Sequence, residues 1–202
     1  MKMPMTDDLT HKFYEDNAEA FFKQTVHVDM SPLYGRFLQH VPAGGSILDA
    51  GCGSGRDSKA FKELGFQVTA FDAAPALVAK ASALLGQDVL LRRFDELDFV
   101  ESFDAIWACA SLLHVAPSEL TSAIERLSAG LKHGGVLYAS FKNGNGQRRD
   151  HSGRHFTDMD IVGFAAYISA MPELGIIDAW DSKDQRPGRV DEVWLNLLLR
   201  KS

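Results

Sequence analysis

The chain has 202 residues, of which 46% are apolar and 24% charged, and its formal net charge is −6. Those proportions belong to a folded globular chain and exclude intrinsic disorder, which needs low hydrophobicity or a large charge excess. The acidic balance counts against general nucleic-acid binding, whose affinity comes from clustered Lys and Arg neutralising phosphates. No apolar run reaches the ~18 residues of a membrane helix. The two cysteines, Cys52 and Cys109, lie in segments that read as interior rather than as a disulfide framework. The expectation is one structural domain in the cytoplasm, with no membrane partner.

In chain order, residues 1–45 read as a helical cap with helices at 17–25 and 31–40, the second opened by Ser31-Pro32. From Ser46 apolar runs of strand length alternate with helical stretches. Strands are predicted at 47–50, 68–71, 89–91, 103–109 and 136–141, and helices at 56–64, 75–84 and 117–131. A polar loop over 142–157, a helix at 158–170 and strands at 176–180 and 193–199 complete the chain. Strand–helix alternation implies an α/β domain over 46–202 built on a parallel sheet.

Asp49-Ala50-Gly51-Cys52-Gly53-Ser54-Gly55 falls between the first strand and the next helix, where open α/β sheets bind ligands. A dinucleotide fingerprint would place its last glycine where Arg56 stands, and no Gly-Lys-Ser/Thr follows to make a P-loop. A carboxylate at Asp49 facing the ligand would disfavour a pyrophosphate and suit a cation. Asp72 ends the second strand, about 20 residues on, where an acid can accept hydrogen bonds from both ribose hydroxyls. Its alternative role is to cap the helix that begins at Pro75.

Ile47-Leu48-Asp49-Ala50-Gly51-Cys52-Gly53-Ser54-Gly55, Asp72, Phe103-Asp104-Ala105-Ile106-Trp107-Ala108, Leu112-Leu113-His114-Val115 and Leu131-Lys132-His133-Gly134-Gly135 together resemble class I S-adenosylmethionine-dependent methyltransferases. Within that class the chain is similar to small bacterial methyltransferases of the tellurite-resistance type. The likeness runs from about residue 45 to the end, with His133 where the family usually has proline. It implies a Rossmann-like doubly wound seven-stranded sheet whose last strand inserts antiparallel, and an N-terminal helical lid. It also implies S-adenosylmethionine as cofactor: Asp49, Gly51, Gly53 and Gly55 around the methionyl part with Cys52 a binding residue of the same turn, Asp72 at the ribose, Phe94 and Asp95 toward adenine, Ala108 beside the transferable methyl. Phe94 reads equally as core. Tyr14 and Asn17 resemble the helix that folds over the cofactor, or else they cap a sheet edge.

Methyl transfer from a sulfonium needs alignment more than a nucleophile of the protein's own. His114, just past the fourth strand, is the candidate general base where the acceptor must lose a proton, or else it packs the following loop. Lys142, Arg148, Arg149 and Arg154 face a single acid, Asp150, in the polar loop, so they form a candidate anion site or a solvated loop, with Arg186 and Arg189 weaker candidates of the same kind. His114, His151 and His155 lack metal-ligand spacing, and no metal is expected. The reading is methyl transfer to a small-molecule acceptor. The alternatives are an RNA methyltransferase, because wobble-uridine enzymes share a similar glycine turn, a nicotinamide oxidoreductase, and a non-catalytic module that binds the cofactor.

Overall fold

The computed structural model describes residues 8–186, 188–189 and 191–202. Helices α1 (Asp8–Asp16), α2 (Ala18–Thr25) and α3 (Ser31–Leu38) precede strand β1 (Ser46–Ala50). Then come α4 (Arg56–Glu63), β2 (Gln67–Asp72), α5 (Pro75–Leu85), β3 (Leu90–Leu91) and, after a 3-10 turn at Phe94–Glu96, β4 (Phe103–Ala108). A second 3-10 turn, Leu112–His114, leads to α6 (Pro117–Gly130), β5 (Leu131–Lys142), β6 (Gly146–Arg149) and β7 (His155–Asp158). Helix α7 (Ile161–Ile168) and strands β8 (Leu174–Lys183) and β9 (Val193–Lys201) end the chain.

Seven strands form one sheet in the order β3-β2-β1-β4-β5-β9-β8, with β9 antiparallel to both neighbours. The expected Rossmann-like sheet is therefore present. Alternation of side chains across the strands supplies its two faces. Ile47, Ala105, Trp107, Val136, Tyr138 and Leu198 point to α3 and α4, where Leu33, Tyr34, Phe37 and Phe61 meet them. Leu48, Ile106, Leu137 and Leu197 point the other way, against Leu120, Ile124 and Leu127 of α6 and Phe164 of α7. Both faces are covered, which is why the central strands read as continuous apolar runs.

Three segments differ from the expectations. The N-terminal region holds three helices among the described residues, because Asn17 ends the first with its amide bonded to the Phe13 carbonyl at 2.8 Å. The polar loop contains the antiparallel pair β6 and β7, a separate two-stranded sheet. The following helix starts later, at Ile161, where Asp160 caps it by accepting from the Gly163 amide at 2.7 Å.

Trp107 is fully buried, stacks on Tyr138 with ring centroids 3.9 Å apart, and donates its indole N–H to Asp57 at 2.9 Å. Trp107→Ala is expected to cost about 3–5 kcal/mol, as for other buried aromatic truncations, read from urea unfolding followed by far-UV circular dichroism.

Candidate functional site

The turn after β1 is shaped by what lies against it. Gly51 and Gly53 have φ of +80° and +54°, and a Cβ on them would lie 2.5 Å from the Ser111 Cβ and 3.1 Å from the Phe21 ring. Only glycine passes between these two side chains in that conformation. The amides of Gly51 and Cys52 bond the Phe71 carbonyl at 3.0 and 2.9 Å, which locks the turn to the end of β2. Gly55 serves packing instead: a Cβ there would lie 3.1 Å from the Ala81 Cβ, so its absence lets the start of α4 pack closely on α5.

This turn forms one wall of a cavity of 670 Å³ at the carboxyl ends of the parallel strands. Of the expected cofactor residues, Gly51, Cys52, Gly53, Asp72, Phe94 and Tyr14 line it. The Asp72 carboxylate accepts from the amides of Gly53 at 2.8 Å and Ala74 at 2.9 Å. Each oxygen keeps a second lone pair, so capping α5 and receiving a hydroxyl are compatible. Burial raises the Asp72 pKa above the ordinary carboxylate range. Phe94 is 8% exposed and stands edge-on to Phe71 at 5.4 Å, so it is both core and cavity wall. The buried hydroxyl of Ser111, also on the wall, makes no hydrogen bond among the described residues. Burial raises the Cys52 thiol pKa well above its usual value and keeps it protonated, unsuited to attack.

Besides Gly55 and Asn17, four expected residues lie off the wall. Ala108 is buried at the end of β4, and Cys109 and Ala110 line the cavity after it. Asp95 turns to the Arg93 guanidinium at 3.4 Å. Arg149 points away from the cavity and donates to the Gly153 carbonyl at 2.9 Å, while Arg148, its neighbour on β6, points in. Asp49 faces behind the turn, where one oxygen accepts from the Ser58 amide at 3.1 Å and hydroxyl at 2.6 Å. The direct repulsion of a pyrophosphate by Asp49 therefore does not arise from this geometry; Arg56 in the place of the last glycine remains.

Behind Asp49 lies a residue that the sequence analysis passed over. Asp57 accepts from Tyr34 at 2.6 Å, Arg56 at 2.7 and 2.8 Å and Trp107 at 2.9 Å. Burial works against its charge, but Arg56 and these donors outweigh burial and hold the Asp57 pKa low. Burial first, and the fixed Asp57 charge second, raise the pKa of Asp49.

His114 lies at the junction of cap and sheet. Its Nδ1 is 2.7 Å from the His155 carbonyl oxygen and its Nε2 is 2.8 Å from the Tyr14 hydroxyl. A carbonyl only accepts, so the proton sits on Nδ1, and Tyr14 donates to the bare Nε2. Burial holds the His114 pKa down to about 4, with the Arg154 charge adding to it. Burial raises the phenol of Tyr14, opposed by Arg154 at 3.4 Å. The cap is pinned here again by Thr10, which accepts from the His155 amide at 2.9 Å.

The far end of the cavity is lined by six cations, Lys142, Arg148, Arg154, Lys183, Arg186 and Arg189. Against them stand four acids, Asp150, Asp158, Asp184 and Glu192, three more than the loop itself suggested. Arg154 is held by Asp150, Arg148 by Asp158 at 2.6 Å, and Arg186 by Asp184. Lys142 contacts Glu192, lies 3.7 Å from Asp184 and sits 4.2 Å from the Trp194 ring centroid. Burial, with the neighbouring arginines, lowers its pKa to about 8. No group of three or more His, Cys, Asp or Glu converges as a metal-ligand set among the described residues.

Comparison with known proteins agrees with this geometry. Residues 47–135, which include the glycine turn, Asp72 and His114, match the family model of the methyltransferase domain. That stretch is somewhat under half of the chain. The ubiquinone biosynthesis O-methyltransferase of Xanthomonas axonopodis pv. citri is 38% identical over 109 residues, which are 50% of this chain and 45% of that protein. The chain thus matches less than half the length of that relative. The 1,6-didemethyltoxoflavin-N1-methyltransferase of Burkholderia thailandensis, solved with its acceptor and S-adenosylhomocysteine, has a TM-score of 0.78 at 22% identity, covering 100% of this chain and 93% of that one. The 4+2 cyclase SpnF has a TM-score of 0.72 at 18% identity, covering 98% of both chains. The fold is therefore one shared by a methyltransferase and by a cyclase, so it does not by itself fix the chemistry. The narrower likeness to the tellurite-resistance type rests on sequence alone.

The depressed His114 pKa fixes a pH dependence. Between about 4 and the unfolded value of 6.5 the unfolded chain binds the extra proton, so stability is lost as pH falls through that window. The shift is worth about 3 kcal/mol at most. Urea midpoints measured from pH 7 to pH 4 are expected to fall more steeply in the wild type than in His114→Gln.

Proposed function

We propose that the chain transfers a methyl group from S-adenosylmethionine to a small, anionic acceptor. The observation that carries the reading is one cavity with two chemically different ends. At the first, close backbone approach at Gly51 and Gly53, spare lone pairs on Asp72, the Phe94 ring and the unpartnered Ser111 hydroxyl fit a nucleoside joined to an amino acid. At the second, cations exceed acids by two, six against four among the lining residues. When bound, the cofactor supplies an electrophilic methyl, whose bond to sulfur breaks with its electron pair kept on sulfur as the acceptor's lone pair forms the new bond.

The cation excess addresses the acceptor. Among the described residues, Lys142, Arg186 and Arg189 share Asp184 and Glu192 as their acids, and burial lowers the pKa of both Lys142 and Arg189. An entering carboxylate or phenolate supplies the missing negative charge and repays that desolvation. Among the compared proteins, one is named for ubiquinone biosynthesis and another was solved with 1,6-didemethyltoxoflavin, which supports a small-molecule acceptor. In this reading the 1–45 cap, of which residues 1–7 lie outside the described residues, acts as a lid, and 46–202 as the domain that binds the cofactor. Acceleration comes mainly from holding donor and acceptor in line.

The test uses labelled S-adenosylmethionine with catechol and with protocatechuate, its carboxylated counterpart. Protocatechuate is expected to be methylated with a kcat/KM about tenfold higher, the value of one favourable charge contact, and Lys142→Met should bring the two to parity. Equal rates in the wild type would contradict an anion site.

A further inference from the structure

Tyr14 belongs to the N-terminal cap, yet its hydroxyl is aimed at a histidine anchored 100 residues later. We infer that Tyr14 and His114 form a proton relay that exists only when the cap is closed, so that the cap completes the base for the acceptor's proton. The inference rests on the methyl-transfer reading and adds to it the route of the proton and the kind of acceptor group served.

Geometry sets the direction of the relay. The His155 carbonyl fixes the His114 proton on Nδ1, so the only lone pair of the ring points at Tyr14. Imidazole cannot take a proton from the acceptor directly, because the phenol occupies that lone pair. The phenol itself lines the cavity. Its own proton is committed to His114, one lone pair faces Arg154 at 3.4 Å, and the other is left for a donor. An acceptor O–H placed there gives its proton to the Tyr14 oxygen while the Tyr14 proton passes to Nε2. The acceptor keeps the electron pair of its former O–H bond, Tyr14 is restored, and His114 becomes an imidazolium.

The surroundings support each stage. Arg154 stabilises any negative charge that builds on the phenol oxygen, and Asp150 holds Arg154 in place at 2.7 Å. His114 is faced by Tyr14 from α1, by Arg154 and Asp150 from the β6–β7 connection and by the His155 carbonyl of β7; Asp72 and Arg186 lie near Tyr14. Phe156 closes the remaining side with its ring centroid 4.9 Å away. A base that keeps a proton only below about pH 4 remains neutral and available at pH 7. It is too weak to strip an alkylammonium, whose pKa is about 10. It suffices for a hydroxyl, which becomes strongly acidic as its oxygen is methylated. The relay therefore selects neutral O–H acceptors over protonated amines.

Two measurements on the full chain test this. In the first, nitrogen NMR of histidine-labelled protein with S-adenosylhomocysteine present is expected to show His114 protonated on Nδ1 and bare on Nε2 from neutral pH down to about pH 5, with the Nε2 signal displaced in Tyr14→Phe. A proton on Nε2, or titration near the ordinary 6.5, would overturn the relay whether or not any acceptor is at hand. In the second, Tyr14→Phe should lower kcat for protocatechuate about 100-fold and leave S-adenosylhomocysteine affinity within about threefold, because the ring is retained. A merely structural lid contact would do the reverse, weakening affinity and sparing kcat, and that result would overturn the inference. A wild type that binds no S-adenosylhomocysteine would instead remove the methyl-transfer reading on which the relay rests.

Discussion

The site depends on a stretch of backbone that has no room for side chains. Between Ser111 on one side and Phe21 on the other, the chain passes at Gly51 and Gly53 through φ values that other residues adopt only under strain. Removing Cβ atoms there lets three separate parts of the chain, the 3-10 turn after β4, the cap and the end of β2, meet at one place. The two backbone bonds to Phe71 hold the turn in that position.

Beneath the turn, one buried carboxylate ties the layers together. Asp57 collects donors from α3, α4 and β4, so the cap's third helix, the helix that follows the glycine turn and the central sheet share a single electrostatic anchor. A buried charge is tolerable only when it is paired and its lone pairs are filled, and that condition is met here by Arg56, Tyr34 and Trp107. Asp49 sits next to this fixed charge and is turned to Ser58, which makes it a support of the α4 N-terminus. The opposite end of the cavity is organised differently, with six long cationic side chains lining it beside four acids.

Much of the fold was legible because it rests on local pattern. Apolar runs of strand length marked the central strands, and the glycine turn with Asp72 fell on the wall of the cavity. What escaped depends on contacts between distant residues. Gln147, Arg148 and Arg149 carry no strand signature; they pair with the segment from His155 to Asp158, whose Phe156 packs on His114, 42 residues earlier in the chain. Edge strand β8 is only partly buried and ends in the polar run Asp181-Ser182-Lys183, so only the stretch from 176 to 180 stood out. The acids that balance Lys142 lie more than 40 residues later, at Asp184 and Glu192, invisible to any local count of charge. Sequence position likewise could not say on which side of the turn Asp49 would face, nor that Tyr14 would reach His114.

The central claim is that the glycine turn and Asp72 hold an adenosyl amino acid and not a dinucleotide. Isothermal titration with S-adenosylhomocysteine and with NADH, on the wild type and on Asp72→Ala, tests it directly. Saturable binding of S-adenosylhomocysteine alone, weakened about tenfold or more by the loss of charged hydrogen bonds in the variant, is the expected result. Binding of NADH alone, or of neither ligand, would contradict the account and leave only the α/β fold standing.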